Sequence, residues 1–201
     1  MGKLLVITGF SGAGKDSVIE KLLEKMPEFK RLVTCADRPP RTGEVHGIHY
    51  YFVTSEEMDM MHKNGELAEK PLLYGTSRKA TPKKEFLKII NEGASLVWRI
   101  ESSLAAHVAS GKFFDEQFAP QESSVLKSST TTVFLTAKRP ELRKRRKARD
   151  GSKYDPKEFA KRDLQDELIL AKYGSAFQNI VENEEEKLEE TVEKIIKLVK
   201  T

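Results

Sequence analysis

Apolar and polar positions fall into blocks whose period switches along the chain, and the switches mark the elements. Lys3–Thr8 is a compact apolar run closed by glycine-rich sequence, as a buried strand is. In Asp16–Met26, Val18, Ile19, Leu22 and Leu23 recur at helical spacing. Short strands are expected at Arg31–Ala36 and Tyr50–Thr54, and Ser55 is placed to cap a helix running to about Asn64. Thr81-Pro82 reads as a helix start, since proline at the first helical position loses no needed donor, and Gly93 as its end. Ser95–Ile100 and Thr131–Thr136 follow as buried strands. The last third is helical up to Tyr173-Gly174, then a strand near Asn179–Glu182, then a closing helix. That helix carries Leu188, Val192, Ile195, Ile196 and Val199 on one face, with Glu184–Glu186 at its start and Lys194, Lys197 and Lys200 near its end. Residues 111–129 fit neither period, although Phe113, Phe114 and Phe118 must pack somewhere. Strands alternating with helices predict an α/β fold with a mainly parallel sheet.

Composition narrows this little further. With 201 residues, 38% hydrophobic and 33% charged, the chain has room for one domain with a small insertion. A lone Cys35 excludes an internal disulfide or a cysteine-rich zinc site, and suits a reducing, cytoplasmic setting. No apolar stretch is long enough to span a bilayer, and no membrane association is expected. The net charge of +4 is local. Residues 138–149 carry eight basic side chains and one acidic one, which leaves the rest of the chain at −3. That weakens a general nucleic-acid reading.

The most informative segment is Gly9-Phe10-Ser11-Gly12-Ala13-Gly14-Lys15, which follows an expected strand and precedes an expected helix. This is the spacing and setting of a Walker A phosphate loop. Its glycines let backbone N–H groups curl around phosphate, the helix start adds positive potential, and Lys15 reaches the β- and γ-phosphates. Ser11, Gly12, Ala13, Gly14, Lys15, Asp16 and Ser17 are therefore the candidate ATP-phosphate site. Asp16 stands where the motif has Ser or Thr for Mg²⁺. A carboxylate is also a hard oxygen ligand, so Asp16 either sits on the metal or faces away from the phosphates.

Residues 38–53 read Arg-Pro-Pro-Arg-Thr-Gly-Glu-Val-His-Gly-Ile-His-Tyr-Tyr-Phe-Val. Arg38 and Arg41, flanked by prolines, can present two forks to one phosphate, or be a surface pair in a loop. Together with the phosphate loop, this segment resembles the guanylate kinase family, whose pattern Arg-x-x-Arg-x-Gly-Glu-x-x-Gly-x-x-Tyr-x-Phe-Val it meets at every fixed position. Gly65-Glu66-Leu67-Ala68-Glu69 and Tyr74-Gly75-Thr76-Ser77 resemble the family's base-binding acid and its Tyr-Gly-Thr-Ser element.

The resemblance implies a three-layer P-loop NTPase fold, with a nucleotide-monophosphate subdomain at 37–79, a lid at 138–172, and a core from 1–36, 80–137 and 173–201. It implies that Arg38, Arg41, Tyr50 and Tyr74 hold the acceptor phosphate, and that Glu69 reads guanine with Thr76 and Glu101 assisting. Cys35 stands beside the base where the family usually has Ser. Family members usually have Asp at the position of Glu101 and another two residues earlier, where this chain has Arg99. The link Lys70–Leu73 is several residues shorter than usual.

The basic segment has two readings, a generic nucleic-acid or targeting patch or the family's lid, and the lid is favoured. Arg145 and Arg149 share one helical face and, with Arg162, match the lid pattern, whereas Lys144, Arg146 and Lys147 are expected to be solvated. Asn183 matches the family's adenine-side Asn or is a cap. His46 and His49 lack metal partners and are read as non-catalytic.

The implied activity is Mg²⁺-dependent transfer from ATP to GMP or dGMP by a monomer or homodimer. Two rivals stand beside it: a kinase of another phosphate acceptor such as ribose 1,5-bisphosphate, and a non-catalytic phosphopeptide-binding module.

Overall fold

Why Leu4–Ile7 is apolar without a break is answered by its position in the sheet. In the computed structural model, which describes residues 2–151 and 155–200 except the side chains of Tyr74, Glu158 and Arg162, β1 (Leu4–Gly9) is the central strand. It pairs in parallel with β7 (Ser95–Arg99) on one side and β8 (Thr130–Thr136) on the other. β2 (Phe29–Arg31) and β9 (Asn179–Glu182) complete a five-stranded parallel sheet in the order β2-β7-β1-β8-β9. Side chains alternate across a strand. Leu5 and Ile7 therefore enter one core, with Val18, Ile19 and Leu22 of α1 (Lys15–Lys25) and Val192, Ile195 and Ile196 of α9 (Leu188–Lys200). Leu4 and Val6 enter the other, with Phe86 of α3 (Lys83–Asn91), Ala105 of α4 (Ser102–Ala109) and Trp98. A buried large-to-small change at Ile7 would cost about 2–5 kcal/mol.

The segment Arg31–Ala36, expected as one strand, divides between two sheets. Phe29–Arg31 joins the central sheet, while β3 (Cys35–Ala36) turns into a second sheet with β4 (Tyr51–Phe52), β5 (Leu72–Tyr74) and β6 (Ser77–Ala80), in the order β4-β3-β6-β5. Cys35, Ala36 and Ala80, assigned from sequence to the core, thus belong to this smaller sheet. Its own apolar cluster is Cys35, Met58, Leu67 and Ala80. α2 (Ser55–Lys63) packs Met58 into that cluster; Thr54, not Ser55, caps it, in a reciprocal box with Glu57.

Residues 111–129 form two short helices, α5 (Lys112–Gln117) and α6 (Pro120–Ser129), too short for a clear period. Phe113, Phe114 and Phe118 gather around Phe86, which also meets Trp98 edge-on at 4.9 Å. Beyond β8 run α7 (Arg139–Asp150) and α8 (Pro156–Tyr173), then a 3₁₀ turn at Gly174–Ala176. Glu184–Glu186 lie ahead of α9 rather than in its first turn, which holds Glu189 and Glu190. Glu189 instead ties α9 to α1 through Lys21 and Lys25.

Candidate active site

The turn between β1 and α1 is shaped by close approach. Gly9 has φ +136°, and a Cβ there would lie 2.0 Å from the Leu135 carbonyl oxygen; at Gly14, φ +86°, it would lie 2.6 Å from Asn183 Nδ2. Only glycine meets both demands. Lys15 Nζ donates to the carbonyls of Gly9 and Phe10, at 2.8 Å each. Burial first, then the positive charge of Arg99, draws its pKa down to about 8. The loop therefore holds a partly desolvated cation among backbone groups, an arrangement that an incoming anion stabilises.

Asp16 and Ser17 are exposed on the first turn of α1. Asp16 Oδ1 lies 3.1 Å from Arg99 Nη1. Mg²⁺ commonly takes one or two carboxylates and completes its shell with substrate phosphates and water. Asp16 fits as one hard oxygen donor, in competition with Arg99. No cluster of three metal-ligating side chains occurs among the described residues.

Ala13 is buried beneath the loop, and its carbonyl accepts from Asn183 Nδ2 at 2.8 Å. Asn183 is buried, and its Oδ1 has no partner among the described residues. Arg145 donates to the Asn183 carbonyl at 2.9 Å and to Glu141 at 3.1 Å, which lays its guanidinium against the loop. Arg149 is turned to its neighbour Asp150, at 2.8 Å. Arg162 lies on α8, with its side chain outside the described residues.

One expectation for this segment is wrong. Arg146 is not solvated: it is completely buried, donating from Nε to the Ser11 carbonyl and from its two other nitrogens to Asp163 and Asp166. In sequence it reads as surplus charge in a basic run, although it follows buried Leu142 by one helical turn; what keeps an arginine there is its acidic partners on α8. Lys144 is exposed and pairs with Glu185.

The second cluster lies on the smaller sheet and its loops. Arg38 forks onto Glu44 at 2.6 and 2.8 Å, and Glu44 also accepts the Arg41 backbone N–H at 2.7 Å. The Arg38 bond above all, then that amide, pulls the Glu44 carboxyl down to about 2. The motif's glutamate thus fixes the arginine's direction. Arg38 also stacks over Tyr50, 5.4 Å from the ring centroid, while the Arg41 side chain is exposed. Lys79, which sequence reasoning missed, donates to Tyr50 Oη at 2.7 Å and lies 4.3 Å over the same ring. Its only signal was position, two residues after Ser77 on a strand. Arg78, also unremarked, staples Asp37 and Asp59 together.

Glu69 is the buried acid of this cluster. Its Oε1 accepts from the Thr81 backbone N–H at 2.8 Å and from the Thr81 hydroxyl at 2.7 Å, while Oε2 is buried without a partner among the described residues. Desolvation, only partly offset by Thr81, raises its pKa to about 7. Other expected members are engaged elsewhere. Cys35 is completely buried among Met58, Leu67 and Ala80, and burial pushes its thiol up to about 11. Glu101 caps α4, accepting from the Ser103 and Leu104 amides and the Ser103 hydroxyl, so neither oxygen is free. Thr76 sits exposed at the hairpin turn after Tyr74, whose own side chain is outside the described residues. His46 and His49 accept backbone N–H groups within their loop, from Phe52 and Val45.

A family model described as guanylate kinase matches residues 1–113, more than half of the chain. The chain belongs to the guanylate kinase family. Relatives named guanylate kinase include one from Granulibacter bethesdensis, 38% identical over 100 residues covering 50% of this chain and 46% of that protein. One from Streptomyces coelicolor is 38% identical over 106 residues, 53% of each chain. The chain spans about half the length of the curated relatives it matches. The crystal structure of guanylate kinase from Anaplasma phagocytophilum resembles it with a TM-score of 0.60 and 23% identity, covering 99% of this chain and 85% of that one, a likeness of fold. No helix among the described residues is long and apolar enough to cross a membrane.

Proposed function

We propose that this guanylate kinase family member transfers the terminal phosphoryl group of ATP to the phosphate of GMP or dGMP. The observation that carries the reading is the unpartnered, buried Oε2 of Glu69 in a chain that also holds Lys15 inside a phosphate loop. A buried acceptor without a donor costs free energy until a ligand supplies one. Guanine offers N1–H and a 2-amino group side by side; adenine offers an acceptor at N1.

The rest of the chemistry is positioning and charge. Arg38, oriented by Glu44, together with Arg41, Tyr50, Tyr74 and Lys79, would hold the acceptor phosphate for in-line attack on the γ-phosphorus. Lys15, Arg145, Arg149 and Arg162 would balance charge on the transferring group. Asn183 Oδ1, unpartnered, would take the adenine amino group of ATP. Asp16 would be the protein's donor to Mg²⁺, which would supply positive charge to the triphosphate when bound. No covalent intermediate is required, since acceptor oxygen replaces leaving oxygen at phosphorus.

Equilibrium titration of GMP and AMP into the wild type and Glu69→Gln tests the base reading. GMP should bind the wild type more tightly than AMP, and the substitution should erase most of that difference. An unchanged preference would contradict it.

A further inference from the structure

Both backbone polar groups of Ser11 are held by the helices that follow β8. Its carbonyl accepts from Arg146 Nε at 2.5 Å, and its amide N–H is taken by the Asp166 carboxylate. Arg146 Nη2 in turn reaches Asp166 at 2.5 Å, and Nη1 reaches Asp163 at 2.8 Å, with the Phe159 ring 5.5 Å away. Packing is tight here: a Cβ on Gly12 would come within 2.9 Å of Arg146 Cγ. Lys15 feels the negative charge of Asp166 and the positive charge of Arg146.

Asp166 is therefore an anion bound by a phosphate-loop amide, next to the loop lysine, with an arginine beside it. Those are the partners that a nucleotide phosphate seeks: backbone N–H groups, an ammonium and a guanidinium. Two anions cannot share one amide, and their repulsion in a poorly solvated turn is strong. We propose that Asp166 is an internal competitor for the terminal phosphate of the bound nucleoside triphosphate, and that Arg146 is a further phosphate-binding cation, released to it when Asp166 is displaced. Burial holds the Asp166 carboxyl above its ordinary range, in spite of the neighbouring Arg146 guanidinium. Asp163 supplies Arg146 with a second counter-charge, at 2.8 Å.

A purely structural latch makes a different prediction. If the three side chains only staple α7 to α8, removing either charge loosens the lid, and nucleotide affinity falls in both cases. Competition gives opposite signs. The inference rests on the reading that the loop takes ATP, and the test separates the two.

The experiment is calorimetric titration of the full chain with adenylyl imidodiphosphate and with ADP, which lacks the terminal phosphate. Asp166→Asn should bind the triphosphate analogue roughly tenfold more tightly than the wild type, one step on the affinity scale, with a smaller change for ADP. Arg146→Leu should bind it at least about tenfold more weakly, and the double variant should stay weaker than Asp166→Asn alone, the mark of a direct phosphate contact. Asp163→Asn, which removes the same charge from the same arginine, should not tighten binding. Asp166→Ser, too short to reach Ser11, repeats the test should the amide variant fold poorly. Equal or weaker triphosphate binding by both Asp166 variants, with intact wild-type binding, overturns the inference alone. A wild type that binds neither nucleotide overturns the ATP reading with it.

Discussion

Arg99 and Asp16 meet at the edge of the phosphate loop, guanidinium nitrogen to carboxylate oxygen at 3.1 Å. Each differs from the residue that the family pattern has at its position, and the two side chains pair with each other. A carboxylate added beside the phosphates is balanced by a cation where an acid usually stands. Both side chains are about half exposed, so the pair contributes little stability, roughly 0–1 kcal/mol.

Its influence should appear in the metal dependence. Asp16→Ala should raise the Mg²⁺ concentration for half-maximal rate, Asp16→Ser should recover much of the loss, and Arg99→Ala, by freeing the carboxylate, should lower it. Melting temperatures should barely move. Superimposable Mg²⁺ titrations of all four proteins would mean that neither residue acts on the metal.

Lys15 links pH to nucleotide capture. Its folded pKa of about 8 lies below the ordinary 10.5, so the unfolded chain binds more protons between those values and this group's contribution to stability rises with pH across that window. Capture runs the other way: kcat/KM for ATP should fall above about pH 8, as the free enzyme loses the cation. Lys15→Ala should lower kcat by about a hundredfold or more while leaving the melting temperature nearly unchanged. A variant that keeps a tenth of the activity contradicts this role.

Glu69 has the opposite sign. Its folded pKa of about 7 lies above the ordinary 4.5, so the native state binds more protons between them. The associated stability is fully present below about 4.5 and lost as pH rises through about 7. Glu69→Gln should flatten that part of the melting-temperature profile. In kinetics, kcat/KM for GMP should climb through the same region as the carboxylate forms. The substitution should cut it roughly 10–100-fold, given the worth of a charge-assisted hydrogen bond.

Arg145 and Lys144 are neighbours on α7 with different fates, one against the loop and one paired outward with Glu185. Arg145→Ala and Arg149→Ala should depress turnover strongly, whereas Lys144→Ala should leave it near the wild-type value. Equal losses at all three positions would favour a diffuse electrostatic patch, as would RNA binding with a steep salt dependence.

How far the chain could be read depended on whether neighbours in space were neighbours in sequence. The central strand, the phosphate loop, the strand at Asn179–Glu182 and the apolar face of α9 are local patterns and were legible. The division of Arg31–Ala36 between two sheets was not, because no local period marks a change of sheet. Phe113, Phe114 and Phe118 announced burial, but two short helices leave too few turns for periodicity to show. At the site, Arg38 and Glu44 lie within one motif and could be read together. Arg146 could not be: its partners Asp163 and Asp166 lie on the next helix, and without them an arginine in a basic run looks solvated. Cys35 and Glu101 took their expected roles from the family pattern, and it is packing and capping that occupy them here.

The measurement closest to the central claim is ADP release from ATP in a coupled assay, run across GMP, dGMP, AMP, UMP and ribose 1,5-bisphosphate. Glu69 as the guanine reader and Lys15 in the phosphate loop predict turnover with GMP or dGMP, little with AMP or UMP, and loss of the GMP preference in Glu69→Gln. Turnover with ribose 1,5-bisphosphate in place of the guanine nucleotides, or no acceptor-dependent ADP release from any of them, would contradict the account.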